Sequence, residues 1–140
     1  MAGYSGTPLV KKLGIKEGHR LGLLGAPKGF ALEDLPDGVT TRTSARGPLD
    51  VIVSFHTERA DLARRLPALM QALHVDGGLW VAWPKKASGV ATDITEDVIR
   101  EVALPTGLVD VKVCAVDDVW SGLRLCLRKE LRPGRTTAAG

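Results

Sequence analysis

Three lysines, one histidine and a pair of glycines are the residues of this 140-residue chain whose types and spacing could do chemistry. Lys28 lies inside Gly25-Ala26-Pro27-Lys28-Gly29, Lys85 and Lys86 follow Trp83-Pro84, and His56 follows an apolar run ending at Phe55. Ammonium groups attract phosphate, carboxylate or nucleotide anions, a glycine-rich segment can turn its amide N–H groups toward them, and an indole gives a stacking wall. The candidate ligand-binding set is therefore Gly25, Lys28, Gly29, His56, Lys85, Lys86 and Ser88, walled by Trp83 or Trp120. Each also has a plainer reading, the lysines as solvated turn residues, His56 as a structural histidine and the tryptophans as core. The Gly25-x-x-x-Gly29 spacing matches neither the dinucleotide fingerprint nor the phosphate loop, and Pro27 removes an amide donor.

Other chemistries find less support. Ser54, Ser88 and Ser121 lack a nucleophile-elbow setting, so no Ser-His-Asp order can be read. Cys114 and Cys126 are too few for a disulfide scaffold and show no CxxC or CxxH spacing for a metal. Buried reduced thiols are the default for them, although their equal distances from Trp120 leave a cross-strand pair conceivable. Asp93, Glu96 and Asp97 read either as first-turn carboxylates favoured by a helix dipole or as paired catalytic acids. The net charge of +3 comes from crowded ends, with Lys11, Lys12, Lys16 and Arg20 early and Arg124, Arg128, Lys129, Arg132 and Arg135 late. Basic ends can hold nucleic acid, but two Phe and one Tyr do not make an interleaved stacking platform.

Elements must carry these residues into one place. Leu9 to Leu13 forms a short helix stopped by Gly14, and His19 to Leu24 is a first strand. Phe30 to Leu35 reads as a short helix ended by Pro36-Asp37-Gly38, and Val39 to Arg46 as an alternating strand. Leu49 to Phe55 is a buried strand, and Thr57 is placed to cap a helix over Glu58 to Leu73 that Pro67 should kink or split. Leu79 to Trp83 is an unbroken apolar strand, the centre of the sheet, followed by turns through Pro84-Lys85-Lys86 and Ser88-Gly89. A helix then opens at Thr92 or Asp93, with Ile94, Val98, Val102 and Ile99 inward. Leu108 to Val116 and Leu123 to Leu127 are the last strands, the final one with a polar face suited to a sheet margin and hence to self-association. Alternating strands and helices predict a parallel sheet with right-handed crossovers, closed by one antiparallel strand. In such sheets ligands sit at the carboxyl ends of the strands, where Gly25, His56, Trp83 and Asp117 to Trp120 would meet.

With 44% hydrophobic and 25% charged residues, disordered, collagen-like and coiled-coil classes are excluded. No apolar run approaches the ~18 residues of a membrane span, and no signal segment precedes Gly14, so a cytoplasmic protein is expected. One α/β domain over residues 1–131 is expected, with a polar lead at 1–14 and a flexible basic tail at 132–140.

From Leu49 onward, LDVIVSF, the helix, DGGLWVAWPK, a second helix, VDVKVCAVDDVW and GLRLCLRK resemble the second half of a class I S-adenosylmethionine-dependent methyltransferase. The whole chain also resembles a small bacterial family known only as a domain of unknown function, through YSGTPLVKKLGIKEGHR, LLGAPKGF and GGLWVAWPKKASGVATDITEDVIREVA. The first resemblance implies a Rossmann- or methyltransferase-like three-layer domain whose last two strands pair antiparallel. It also implies a cofactor held by an acidic residue and a G-x-G loop after the first strand, and by a second acidic residue ending the next strand. Here Leu23-Leu24 precede Gly25, the second strand carries Thr41, Arg42 and Thr43 without a carboxylate, and the stretch before Leu49 is short for a further helix and strand. The cofactor is therefore left open. Two functions follow, a non-catalytic binding or regulatory module for an anionic ligand or partner, and an atypical methyltransferase or other small transferase. A self-associating homodimer is the third.

Overall fold

The computed structural model describes residues 8–131; the start of the expected polar lead, 1–7, and the expected tail, 132–140, lie outside the described residues. Six strands form one sheet, β1 (Arg20–Leu24), β2 (Thr40–Arg42), β3 (Leu49–Phe55), β4 (Leu73–Pro84), β5 (Leu108–Ala115) and β6 (Trp120–Leu127), in the order β2-β1-β3-β4-β6-β5. β2, β1, β3 and β4 run parallel, and β6 is antiparallel to both β4 and β5. Helices α1 (Leu9–Lys12), α2 (Arg59–Ala72) and α3 (Glu96–Ala103) complete the domain. The expected single α/β domain, mostly parallel with an antiparallel end, is the one observed.

The central strands are apolar throughout because both their faces are covered. On one face Leu49, Ile52, Leu79, Val81, Trp83, Leu123 and Leu125 pack against Leu62, Leu66 and Leu69 of α2 and Ile99 and Ala103 of α3. On the other, Val51, Val53, Phe55, Trp80 and Ala82 meet Val10, Leu13 and Ile15 from the short α1 segment. Trp80 is fully buried there, and its indole N–H donates to the Leu13 carbonyl at 2.9 Å.

Several elements differ from the sequence expectation for physical reasons. Phe30 to Leu35 is not helical: Phe30 closes a turn onto Pro27, its ring packs edge-on against Phe55, and Asp34 adopts a left-handed φ of 60°. The Val39–Arg46 strand shrinks to the three exposed residues of β2. Pro67 does not split α2, since the Ala63 carbonyl it cannot serve lies on the exposed side of the helix. Thr57 does not cap α2; Asp93 does so from across the chain, accepting from the Arg59 N–H at 2.6 Å. Thr92 meanwhile donates to the Thr57 carbonyl at 2.6 Å, so α3 opens only after Thr95, whose hydroxyl accepts from the Val98 N–H. Its buried face is Ile99 and Ala103, with Val98 and Val102 half-buried.

The final strand is not at a margin. β6 lies between β4 and β5, and the edge is β5, where Val111 and Val113 are exposed. Cys114 stands opposite Gly122 and Cys126 opposite Val109, so the two thiols do not face each other and form no disulfide with one another. Burial pushes the Cys114 thiol pKa up, against weaker opposition from Lys12 and Lys112.

The Trp80–Leu13 bond is what clips α1 to the sheet. Trp80→Phe is expected to lower the unfolding free energy by about 1–3 kcal/mol, the penalty of an unsatisfied buried carbonyl. It should also speed hydrogen exchange at the Leu13 and Gly14 amides while α2 stays protected, which denaturant titration and exchange NMR would read.

Candidate functional site

The chain leaves β1 toward β2 on one side and toward β3 on the other, which makes the carboxyl ends of β1 and β3 the topological switch point. Two glycines shape its first loop. Gly25 has φ +68°, and a Cβ there would come within 3.1 Å of the Phe55 carbonyl. Gly29 has φ +84° and occupies the third position of the Pro27–Phe30 turn, where a type II turn calls for glycine. Between them Lys28 is exposed.

The loop after β4 lies two strands away from Lys28, a spacing of roughly 10 Å at the sheet. The Lys85 N–H donates to the Val119 carbonyl at 2.7 Å, which ties this turn to the hairpin before Trp120. Ser88 donates to the Lys85 carbonyl at 2.6 Å and accepts from the Val90 N–H, so its hydroxyl is spent on shaping the turn. Lys85 is half-buried, Lys86 is exposed, and neither they nor Lys28 form an ion pair among the described residues.

The tryptophans separate. Trp83 is buried on the α2/α3 face, whereas Trp120 lies on the opposite one, edge-on to Phe55 at 5.1 Å. Phe30 meets the same ring at 5.0 Å, so a buried Phe55 flanked by the half-exposed Phe30 and Trp120 borders the Gly25–Gly29 loop. Trp83 cannot share a wall with Trp120.

His56 is turned inward. It is 2% exposed, its Nε2 lies 2.7 Å from the Ser54 hydroxyl and its Nδ1 2.8 Å from an Asp61 carboxylate oxygen. With Nδ1–H donating to Asp61, the neutral ring leaves Nε2 to accept from Ser54. This is the connectivity of a Ser-His-Asp triad, but Ser54 is only 1% exposed and no substrate can reach it. The chain of bonds instead fastens β3 to α2. Asp61 was missed in the sequence, although Ser54 and His56 two apart on one strand, with an acid in the following helical turn, were a readable signal.

What these features define is a fold, an α/β domain like that of class I S-adenosylmethionine-dependent methyltransferases in shortened form. Similar solved structures include a SAM dependent methyltransferase from Aquifex aeolicus, 14% identical with a TM-score of 0.57 over 86% of this chain and 88% of that one. TrmN from Thermus thermophilus is 12% identical with a TM-score of 0.59, and this chain covers 47% of its length with 86% of its own. Magnesium protoporphyrin IX methyltransferase from Synechocystis PCC 6803, solved with bound SAM, is 11% identical with a TM-score of 0.54 over 86% and 74%. At such identities the likeness is one of fold. By sequence, residues 31–129 match the family described as a protein of unknown function, DUF3052, and the chain belongs to it. No functionally curated protein matches the chain.

The residues at the switch point do not fit S-adenosylmethionine well. β2 ends in Arg42, followed by Thr43, rather than in a carboxylate for the ribose hydroxyls, and the Gly25–Gly29 loop loses an amide at Pro27. Only six residues separate β2 from β3, so no further strand intervenes.

Burial is the largest influence on His56 and holds its pKa below 6.5, with Asp61 pulling the other way and Arg65 adding to the lowering. The unfolded chain therefore takes up the proton first, so the stability from this group is complete above the ordinary histidine range and is lost as pH falls. Chemical denaturation at pH 7.5 and at pH 5.5 should show a larger drop for the wild type than for His56→Gln. Equal drops would exclude this role for His56.

Proposed function

We propose that this protein is a non-catalytic binding or regulatory module, a shortened methyltransferase-like domain that holds an anionic ligand at the carboxyl ends of its parallel strands. The observation that carries it is the rim itself: Lys28, Lys85 and Lys86 have no ion-pair partners among the described residues, beside a loop opened by Gly25 and Gly29. Ammonium groups left unpaired at the strand ends favour phosphate, carboxylate or nucleotide groups, and the half-exposed Trp120 and Phe30 give a nucleotide base something to stack on. In this reading His56, Ser88 and Trp83 support the site from behind, as turn and core residues. Arg42 at the end of β2 adds to the positive side of the same edge.

A second reading, an atypical methyltransferase, is favoured by the strand order alone, with β6 inserted antiparallel between β4 and β5 as the class requires. Self-association is a third, and it moves from the final strand to the exposed edge of β5.

Thermal-shift titration separates them. A nucleoside triphosphate or polyphosphate at a hundred times its Kd should add about 2.7 kcal/mol of stability, a rise of several degrees in Tm. The rise should vanish in Lys28→Ala/Lys85→Ala/Lys86→Ala. S-adenosylhomocysteine should give none; a shift at micromolar concentration that is lost in Gly25→Val would establish the methyltransferase reading instead.

A further inference from the structure

The opposite, amino end of the parallel strands holds a cavity of about 270 Å³, in which Arg124 is the conspicuous group. Arg124 reaches from β6 across the neighbouring strand, and it fits only because residue 78 is glycine: a Cβ there would stand 2.6 Å from the Arg124 Nε. That Nε–H is buried and has no hydrogen-bond partner, and the guanidinium forms no ion pair among the described residues. A buried N–H donor left unmatched costs about 1–3 kcal/mol, so the Nε–H of this half-exposed arginine, held over a glycine, calls for an acceptor.

The other cavity groups are mostly donors. His19 accepts the Lys16 N–H on its Nδ1 at 3.1 Å, and His74 accepts the Asp76 N–H on its Nδ1 at 3.0 Å. In each neutral ring the proton then sits on Nε2, which leaves one N–H donor apiece. Lys16 brings an ammonium. Of the two carboxylates lining the cavity, Asp50 is already matched by Arg20, through its backbone N–H at 2.7 Å, Nε at 3.1 Å and Nη2 at 3.4 Å. Asp76 is the second; with Asp50 matched by Arg20 from outside the cavity, Lys16 and Arg124 stand against this one carboxylate.

We propose that this amino-end cavity is a second binding site, in which the Arg124 fork takes the oxyanion of a small molecule, a phosphate or a carboxylate, with Lys16, His19 and His74 around it. Planar bidentate recognition is what distinguishes an arginine here from a lysine. The site is separate from the lysine rim, which lies at the other end of the strands.

The test is a 1H–15N NMR titration that follows the Arg124 side-chain Nε–H signal, with inorganic phosphate in one arm and acetate in the other. In the full chain the signal should move and saturate in at least one arm, and the arm that saturates at lower concentration identifies the anion. The movement of neighbouring amides such as Gly77 should disappear in Arg124→Gln and persist in Lys28→Ala/Lys85→Ala/Lys86→Ala, which sets this site apart from the rim. If Arg124→Gln does not fold, Arg124→Lys keeps the charge without the fork and should weaken binding about tenfold, the equivalent of one charge-assisted hydrogen bond. A static Nε–H signal in both anions, or a Gly77 shift unchanged in the Arg124 variant, would overturn the proposal.

Discussion

A sheet whose central strands are apolar on both sides needs cover on both sides, and the described residues hold only two helices longer than a single turn. α2 and α3 take one face. The other is left to a four-residue helix, its following loop and the stretch after β1, so every feature on that face is an improvised cover. Trp80 is the largest of them, a fully buried indole that packs on Leu13 and bonds to its carbonyl, doing with one side chain what a crossing helix would do with several. Phe30, Phe55 and Trp120 close the carboxyl end of the same face by edge-on ring contacts.

The thin cover also decides where polar groups can gather. In a parallel sheet the helix after the first strand and the strand after the second build the ribose side of a dinucleotide-type crevice. Here the segment from Gly25 to Val39 has no helix and residues 43–48 no strand, so the switch point is bounded by a glycine loop, lysines and aromatic edges instead. The methyltransferase-like strand order thus survives without the groups that usually give it its cofactor. At the amino end the same economy exposes the face of β4 and β6, and Arg124 lies over Gly78 where a larger residue would otherwise pack.

Where local pattern and tertiary structure agree, the sequence was sufficient. β3 was legible to the residue, and the order of strands, the single domain and the Lys85–Gly89 turns followed from apolar runs and turn chemistry. The failures all have a distant partner in them. Phe30 left its helix for Phe55, Thr92 and Asp93 gave up opening α3 to serve Thr57 and Arg59, and the arginine that made β6 look like an edge is folded over a glycine on the next strand. Of the candidate site, the loops were placed correctly at the strand ends, but periodicity could not say that Trp83 and Trp120 project to opposite faces across the β4–β6 ladder, or that His56 has both nitrogens engaged. Such facts depend on register and on helix docking, neither of which is local.

His56 and Arg124 show why burial alone does not mark a functional group. Ser54, His56 and Asp61 are joined in an unbroken line, so every polar atom of the histidine has a partner inside the protein and nothing remains for a ligand. A fully satisfied buried network is rigid and closed, whatever catalytic arrangement it resembles. Arg124 is the opposite case. Its Nε is out of water and has no acceptor among the described residues, while Asp50 in the same cavity is committed by three hydrogen bonds to Arg20. The Nε–H has therefore left water without gaining a partner among the described residues, and Gly78 leaves the room for it. Of these two buried groups, the unmatched donor rather than the triad-like histidine is the one whose chemistry points outward.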